Sequence, residues 1–176
     1  KLTLSLIGAV KKTQGSITNY NEEGSNETEL SKLMNLDGLY SKILYKDILP
    51  GVDIEYILDG RNIKENIIVK EKKESYTYTF NISLNNLAAS LEENGSVSIR
   101  DNSGEIKYVI PAPVVYDANG VYAKSGDAHF TLSEIGNGKY ALTVNASAEW
   151  MNSEERAFPV TVDPTVGTSS SAHMDT

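Results

Sequence analysis

The stretch YKDILPGVDIEYILDGRNIKENIIV, residues 45–69, decides the fold of this chain. Apolar and polar residues alternate up to Asp59-Gly60, which is a strong reversal signal, and the extended pattern resumes from Ile63 to Val69. Ahead of the first strand, Pro50-Gly51 sets the direction of the chain, because Pro fixes φ and Gly accepts a positive φ. The stretch therefore predicts a β-hairpin around which the rest of the chain is organised.

The chain has the size and composition of an ordinary folded domain. It contains 176 residues, of which 40% are hydrophobic and 23% charged. A chain of this size can bury a hydrophobic core large enough to keep it folded without disulfide bonds. Cysteine is absent, which excludes disulfides, thiolate catalysis and Cys-ligated metals.

The charge balance is acidic. The net charge is −8, from 24 acidic and 16 basic residues, and the basic residues are scattered apart from the run Lys70–Lys73. Binding to a phosphate backbone requires a clustered positive face. The sequence therefore predicts that nucleic acid is not a partner. No segment has the roughly 18 apolar residues that a membrane-spanning helix requires, so no direct membrane span is expected either.

Working outward from the hairpin, further stretches also alternate with period two. Leu2, Leu4 and Leu6 predict a half-buried strand, and the run 76–82, with Tyr76, Tyr78, Phe80 and Ile82 on one side, predicts a strand whose aromatic rings lie in the core. Residues 11–35 are polar and predict a long loop or hairpin region, with a short helical turn at Glu29–Met34.

From Leu84 onward, Gly- and Asn-rich turns recur about every ten residues, the rhythm of an antiparallel sandwich. We predict an all-β fold, an antiparallel β-sandwich with at most one or two short helical turns. Residues 148–156 are expected to form either one such turn or a loop. Residues 1–166 are predicted to form this domain, with a possible subdivision into two packed β subdomains near residue 111. Residues 167–176 are predicted to be a linker and the start of a following domain.

No catalytic residue is assigned from the sequence. His129 and His173 are the only imidazoles, and GxSxG, HExxH and Walker motifs are absent. An acid pair of the glycoside-hydrolase type drawn from Asp53, Glu55 and Glu65 is an alternative. The competing interpretation is that these carboxylates lie on a polar face and pair with Lys64 or Arg61. The chain is accordingly expected not to be an enzyme, with a hydrolase as the alternative.

Two other kinds of site are compatible with the sequence. Tyr116, Tyr122 and Trp150 are candidate platforms for a carbohydrate, since the faces of aromatic rings stack on sugars. Tyr116 and Tyr122 flank one turn, so they also satisfy the simpler interpretation of a cross-strand pair.

Calcium is the metal that the remaining oxygen ligands favour. Asp101, Glu105, Asp117 and Asn119 lie in Asp/Asn/Gly-rich turns that partly resemble calcium loops. Asp and Asn in such turns also commonly cap their own backbone, and in that interpretation the chain needs no cofactor.

Three segments together resemble a known family. They are Tyr45-x-Asp-Ile-x-Pro-Gly-Val-Asp-Ile-Glu-Tyr56, then Ile63-Lys-Glu-x-Ile-Ile-Val69, and a closing Phe158-Pro-Val-Thr-Val-Asp-Pro-Thr165. The pattern resembles a β-rich module of wall-associated surface proteins, those with YD/RHS repeats and those with the domain named DNRLRE, mostly from Gram-positive bacteria. The likeness covers roughly residues 40–166.

The resemblance implies a secreted protein at the cell surface or cell wall. It implies an all-β structural or adhesive module without catalytic residues of its own. The partners it implies are adjacent domains of the parent polypeptide, whereas cell-wall or extracellular polysaccharide is the partner expected under the carbohydrate-binding alternative of Tyr116, Tyr122 and Trp150. It supplies no reaction and no residue roles.

Overall fold

The computed structural model describes residues 2–9, 16–19, 40–59, 62–124, 126–164 and 167–168, which form three antiparallel sheets and one short helix. The first sheet has the strand order β1 (Leu2–Leu6), β6 (Thr77–Leu84), β12 (Lys139–Ala146), β11 (Ala128–Gly136). The second has the order β10 (Val114–Tyr116), β13 (Val160–Asp163), β5 (Asn62–Val69), β4 (Val52–Asp59), β3 (Tyr40–Leu49), β2 (Ser16–Asn19). The third has the order β14 (Gly167–Thr168), β9 (Ile106–Ile110), β8 (Val97–Asp101), β7 (Leu87–Leu91).

The predicted hairpin is confirmed as β4 and β5, which pair antiparallel from Val52↔Val69 to Asp59↔Asn62. Because side chains alternate between the faces of a sheet, this register sorts the hairpin into two faces. Ile54 and its partner Ile67 are buried in the core. Glu55 and its partner Asn66 lie together on the face turned away from the core, called the outer face, and are also buried there. The register of this hairpin therefore decides which residues are core.

The all-β prediction is confirmed, and the sheets share one hydrophobic core. The predicted aromatic strand contributes Tyr76, Tyr78, Phe80 and Ile82, all buried. The core cluster also includes Leu142 of the first sheet, Ile67, Val160 and Val162 of the second, and Val97, Ile99 and Ile110 of the third. Burying side chains of this size stabilises a fold by roughly 1.5–3 kcal/mol each before entropy is counted.

Hydrogen-bonded pairing crosses the predicted subdivision near residue 111. β6 pairs with β12, and β5 pairs with β13, so the first and second sheets contain strands from either side of that position. Gly167–Thr168 pairs with β9, so this part of the predicted linker belongs to the third sheet. The predicted helical turn at 29–34 lies outside the described residues, as does most of the predicted loop at 11–35.

The predicted turn near Trp150 is a helix, α1 (Ala148–Asn152). The Ser147 side chain caps it by accepting a hydrogen bond from the Trp150 amide at 3.3 Å, and Met151 is buried in the core. The Asn152 side chain ties the end of the helix to the first sheet, because its Oδ1 accepts from the Tyr76 hydroxyl at 2.7 Å.

Asn137-Gly138 closes the β11–β12 hairpin with positive φ at both residues, which is the geometry of a tight two-residue turn. A Cβ at Gly138 would lie 2.5 Å from the backbone oxygen of Leu84, whereas a Cβ at Gly104, also at positive φ, would meet nothing within 4 Å. The same substitution at Gly104 and at Gly138 can therefore be compared without and with a steric clash.

We expect Gly104→Ala to lower the free energy of unfolding by about 1–2 kcal/mol, the cost of a side chain in the left-handed region. Gly138→Ala is expected to cost about 1–3 kcal/mol more, because the added methyl group also collides with the Leu84 carbonyl. Urea unfolding of both variants measures the difference. Equal losses would show that the close approach to Leu84 does not constrain the fold.

Candidate functional site

The best-defined surface feature is the aromatic corner, which we define as Tyr116, Asp117, Tyr122, Trp150 and Arg156. Tyr116 ends β10, the edge strand of the second sheet, and forms an antiparallel bridge with Tyr122. The centroids of the two rings are 5.4 Å apart and the ring planes are inclined by 39°. The cross-strand pairing of the two tyrosines, one of the two interpretations of the sequence, is therefore confirmed.

Asp117 fixes the loop between the two tyrosines. Its Oδ1 accepts hydrogen bonds from the amides of Asn119 at 3.0 Å and Val121 at 2.9 Å, and its Oδ2 accepts from the amide of Ala157 at 3.2 Å. The Val121 amide, followed by those of Ala157 and Asn119 and the Arg156 charge, holds the pKa of Asp117 below its ordinary value. The carboxylate is therefore ionised and the loop is rigid.

Arg156 joins Asp117 to Trp150. Its Nη1 lies 3.4 Å from Asp117 Oδ2, and its guanidinium carbon lies 4.4 Å from the centroid of the Trp150 ring. Arg156 therefore covers one face of the Trp150 ring, and only the remaining surface of that half-buried ring is open to a ligand. By contrast, Tyr122 is 63% exposed. Of the three predicted sugar-binding residues, Tyr122 is thus the one best placed for contact, and the binding role of all three stays a prediction.

The predicted calcium ligands lie in two separate loops. In the first, Asp101 Oδ1 accepts from the amides of Ser103 at 2.9 Å and Glu105 at 3.1 Å, while the Glu105 carboxylate contacts Lys107. The Ser103 hydroxyl, with Lys107 and the loop amides, lowers the pKa of Asp101 to about 2.

In the second loop, Asp117 is occupied as described above, and Asn119 contributes its backbone amide. Within the described ranges, no group of three or more His, Cys, Asp or Glu side chains is arranged to hold a metal ion. Both Asp residues cap their own loops, and calcium binding stays a prediction.

The three carboxylates of the acid-pair alternative do not converge. Asp53 and Glu55 lie on the outer face of the second sheet, where Asp53 pairs with Lys70 at 2.9 Å and Glu55 contacts Lys42 and accepts from Asn66 at 3.0 Å. Glu65 lies on the opposite face, since it is the register partner of Tyr56. Asp53 and Glu55 therefore serve in ion pairs, with Lys70 and Lys42. Of the two predicted partners, Lys64 pairs with Asp163 instead, and Arg61 lies outside the described residues. The structure therefore does not bring the three carboxylates together in the arrangement that the glycoside-hydrolase alternative requires.

Glu65 is the unusual titratable group of the described residues. It is only 2% exposed, and its Oε1 accepts a hydrogen bond from the Tyr56 hydroxyl at 2.6 Å. Burial raises the pKa of Glu65 to about 7, against the smaller opposing effect of the Tyr56 hydrogen bond. The sequence held the signal for this placement, because Glu65 shares the alternation of Ile63, Ile67 and Val69.

We expect Glu65→Gln to stabilise the domain at pH 8 and to have little effect at pH 5. The pKa of Glu65 in the folded state lies above the ordinary value of 4.5. The contribution of Glu65 to the free energy of unfolding is therefore fully present below pH 4.5 and is lost as the pH rises through 7. A shift of this size corresponds to about 3 kcal/mol at high pH. Urea unfolding at both pH values measures it; Glu93→Gln, on an exposed residue, is the control.

Equal stability of wild type and Glu65→Gln at pH 8 would contradict the raised pKa. Gln retains an acceptor for the Tyr56 hydroxyl, so a loss of that hydrogen bond does not confuse the result.

The described part of the chain thus defines an all-β domain with a rigid surface corner and carboxylates held by ion pairs, loop amides or burial. The chain belongs to the family described as "Domain of unknown function (DUF7948)", whose model matches residues 7–165. None of the described helices is long and apolar enough to cross a membrane. His129 is exposed on the edge strand β11. No solved structure matches the chain.

The chain is similar to much longer proteins. It is 27% identical over 181 residues to tRNA nuclease WapA of Bacillus subtilis (strain 168) and, to the same extent, to tRNA(Glu)-specific nuclease WapA of Bacillus subtilis subsp. natto (strain BEST195). Each alignment covers 100% of this chain and 7% of the relative. A protein of Geobacillus stearothermophilus named "Wall-associated protein" is 24% identical over 102 residues, which cover 56% of this chain and 39% of the relative.

These relatives correct the prediction that nucleic acid is not a partner. Their names identify tRNA nucleases, which contradicts that prediction, and they also stand against the expectation of a non-enzyme. The prediction rested on a net charge of −8 in a chain that spans only 7% of those relatives. The charge of one small segment does not report the charge of the surfaces elsewhere in a long polypeptide.

Proposed function

We propose that this chain is a structural and adhesive module of a longer, secreted, wall-associated protein. The observation that carries the proposal is the alignment: the whole chain matches 7% of each nuclease relative, and part of it matches a protein named as wall-associated. The shared core of three sheets supports this role, since a module of a long surface polypeptide must stay folded by itself.

The nuclease activity named for the relatives is, in this proposal, a property of the longer protein, with its chemistry outside this module. The described carboxylates named below already take part in other interactions, which supports placing the nuclease chemistry outside this module. Asp53 and Glu55 pair with lysines, Asp101 and Asp117 accept from loop amides, and Glu65 is buried against Tyr56. Repeats of the YD/RHS type and a DNRLRE domain are the neighbours we expect in the parent polypeptide, of Gram-positive origin.

The division of labour predicts that the isolated chain does not cleave tRNA. Incubation of the purified 176-residue chain with total tRNA, with and without Mg²⁺ or Ca²⁺, is expected to leave the RNA intact on a denaturing gel. Specific cleavage by the chain would contradict a non-catalytic module. If cleavage occurs, the variants Glu65→Gln and His129→Ala test whether it depends on the buried carboxyl group or on the exposed imidazole.

A second function, binding of wall polysaccharide, is favoured by the exposure of Tyr122 beside Tyr116. Asp117 makes the loop rigid, so little conformational entropy is lost when a sugar stacks on the ring. Lys64 on β5 pairs with Asp163 on β13 at 2.9 Å, so an ion pair lies on the two strands that follow β10 in the second sheet.

We expect the chain to co-sediment with purified Gram-positive cell walls, and Tyr122→Ala to weaken this binding by about tenfold, because exposed aromatic anchors carry much of the energy of such contacts. Tyr122→Phe retains the ring and is expected to bind nearly as wild type. Ile135→Ala, at an exposed position on β11, is the control. Equal binding of all variants would exclude the aromatic corner as the contact surface.

A further inference from the structure

A recess lies between the first and second sheets, at the place where β3 leaves its register with β4. Its volume is about 320 Å³. The described residues that line it come from the end of β1 and the turn that follows, from β3 and from β4: Leu6, Ala9, Tyr45, Ile48, Ile54 and Tyr56. It is thus far from the aromatic corner, since β10 lies at the other edge of the second sheet.

A β-bulge shapes the recess. The pairing of β3 with β4 is interrupted between Tyr45↔Ile54 and Leu49↔Val52, and Asp47 within this segment has a φ of 50°. Such irregularities bend a strand and redirect its side chains, and they are frequent beside functional sites.

Outer-face contacts hold the bulge in place. The Asp47 amide donates to Asp53 Oδ1 at 2.7 Å, and Lys70 contacts both carboxylates. The bulge is therefore fixed by a specific set of polar contacts, and the position of Ile48 in the recess wall follows from it.

The side chains that line the recess are aliphatic and aromatic, and the wall also exposes polar atoms. Tyr45 and Tyr56 are arranged edge to face, with centroids 6.0 Å apart and an interplanar angle of 88°. The Tyr56 hydroxyl donates to Glu65, so it is already engaged in a hydrogen bond. None of the described lining residues carries a formal charge. The raised pKa of Glu65 directly behind Tyr56 is in keeping with these apolar surroundings.

We propose that this recess binds a small, uncharged aromatic molecule. Ring edges and faces presented at right angles by Tyr45 and Tyr56 suit a flat aromatic guest, and aliphatic side chains complete the wall. An engineered apolar cavity of about 150 Å³ holds one benzene ring, so this recess has the size for two fused or linked rings. Charged molecules are disfavoured, because no described lining residue carries an opposite charge that would compensate for the loss of their hydration.

The test is titration of the 176-residue chain with 6-propionyl-2-dimethylaminonaphthalene, a neutral probe of two fused rings whose emission shifts to the blue in apolar surroundings. We expect saturable binding at one site. Ala9→Trp fills the recess without removing a core side chain, and it is expected to weaken binding by about tenfold or more, a loss of about 1.4 kcal/mol. Ile135→Trp adds the same indole at an exposed position on β11 and is expected to bind as wild type.

Methyl NMR locates the bound probe. The methyl groups of Ile48 and Ile54 are expected to shift on titration, while that of Ile135 stays unchanged. The proposal is overturned if wild type shows no saturable binding, if Ala9→Trp binds as tightly as wild type, or if the shifted methyl groups lie elsewhere. Should Ala9→Trp fail to fold, as judged by circular dichroism, the NMR result on wild type decides alone.

Discussion

The period-two alternation of the β4–β5 hairpin is the constraint on which the rest of the structure depends. One face supplies Val52, Ile54, Ile67 and Val69 to the core, which the other two sheets also enter. A slip of one residue would exchange this face for the one that carries Asp53 and Glu55. Both carboxylates are already buried, but beside Lys42, Lys70 and Asn66. Turned toward the apolar core without these partners, each would cost several kcal/mol, so the register is strongly specified.

The outer face of the same hairpin shows what the polar residues do instead. Glu55 contacts Lys42 and Asn66, and Asp53 joins Lys70 to the bulge at Asp47. These contacts cross from β3 through β4 to β5, so they align three strands while leaving the carboxylates unsuited to act as a catalytic pair. The acid residues that suggested a hydrolase are thus part of the scaffold.

Local patterns were sufficient to predict the hairpin, the alternating strand at 76–82 and the turn-rich second half. They did not predict the three-sheet arrangement, because β1 pairs with β6 and β5 with β13 across long stretches of chain. Nor did they predict that Arg156 covers Trp150, since that contact depends on Asp117 nearly 40 residues earlier. The charge argument failed for a different reason: it was applied to a segment that is a small part of its relatives.

A single core shared by three sheets is the central claim, and the proposed role as a module requires it. Native-state hydrogen exchange tests it most directly, through the amides of Ile82 in β6, Ile67 in β5 and Ile99 in β8. We predict that all three exchange with one free energy of opening, equal to the free energy of global unfolding. A distinctly lower value for Ile99 would show that the third sheet opens by itself, and would contradict the account.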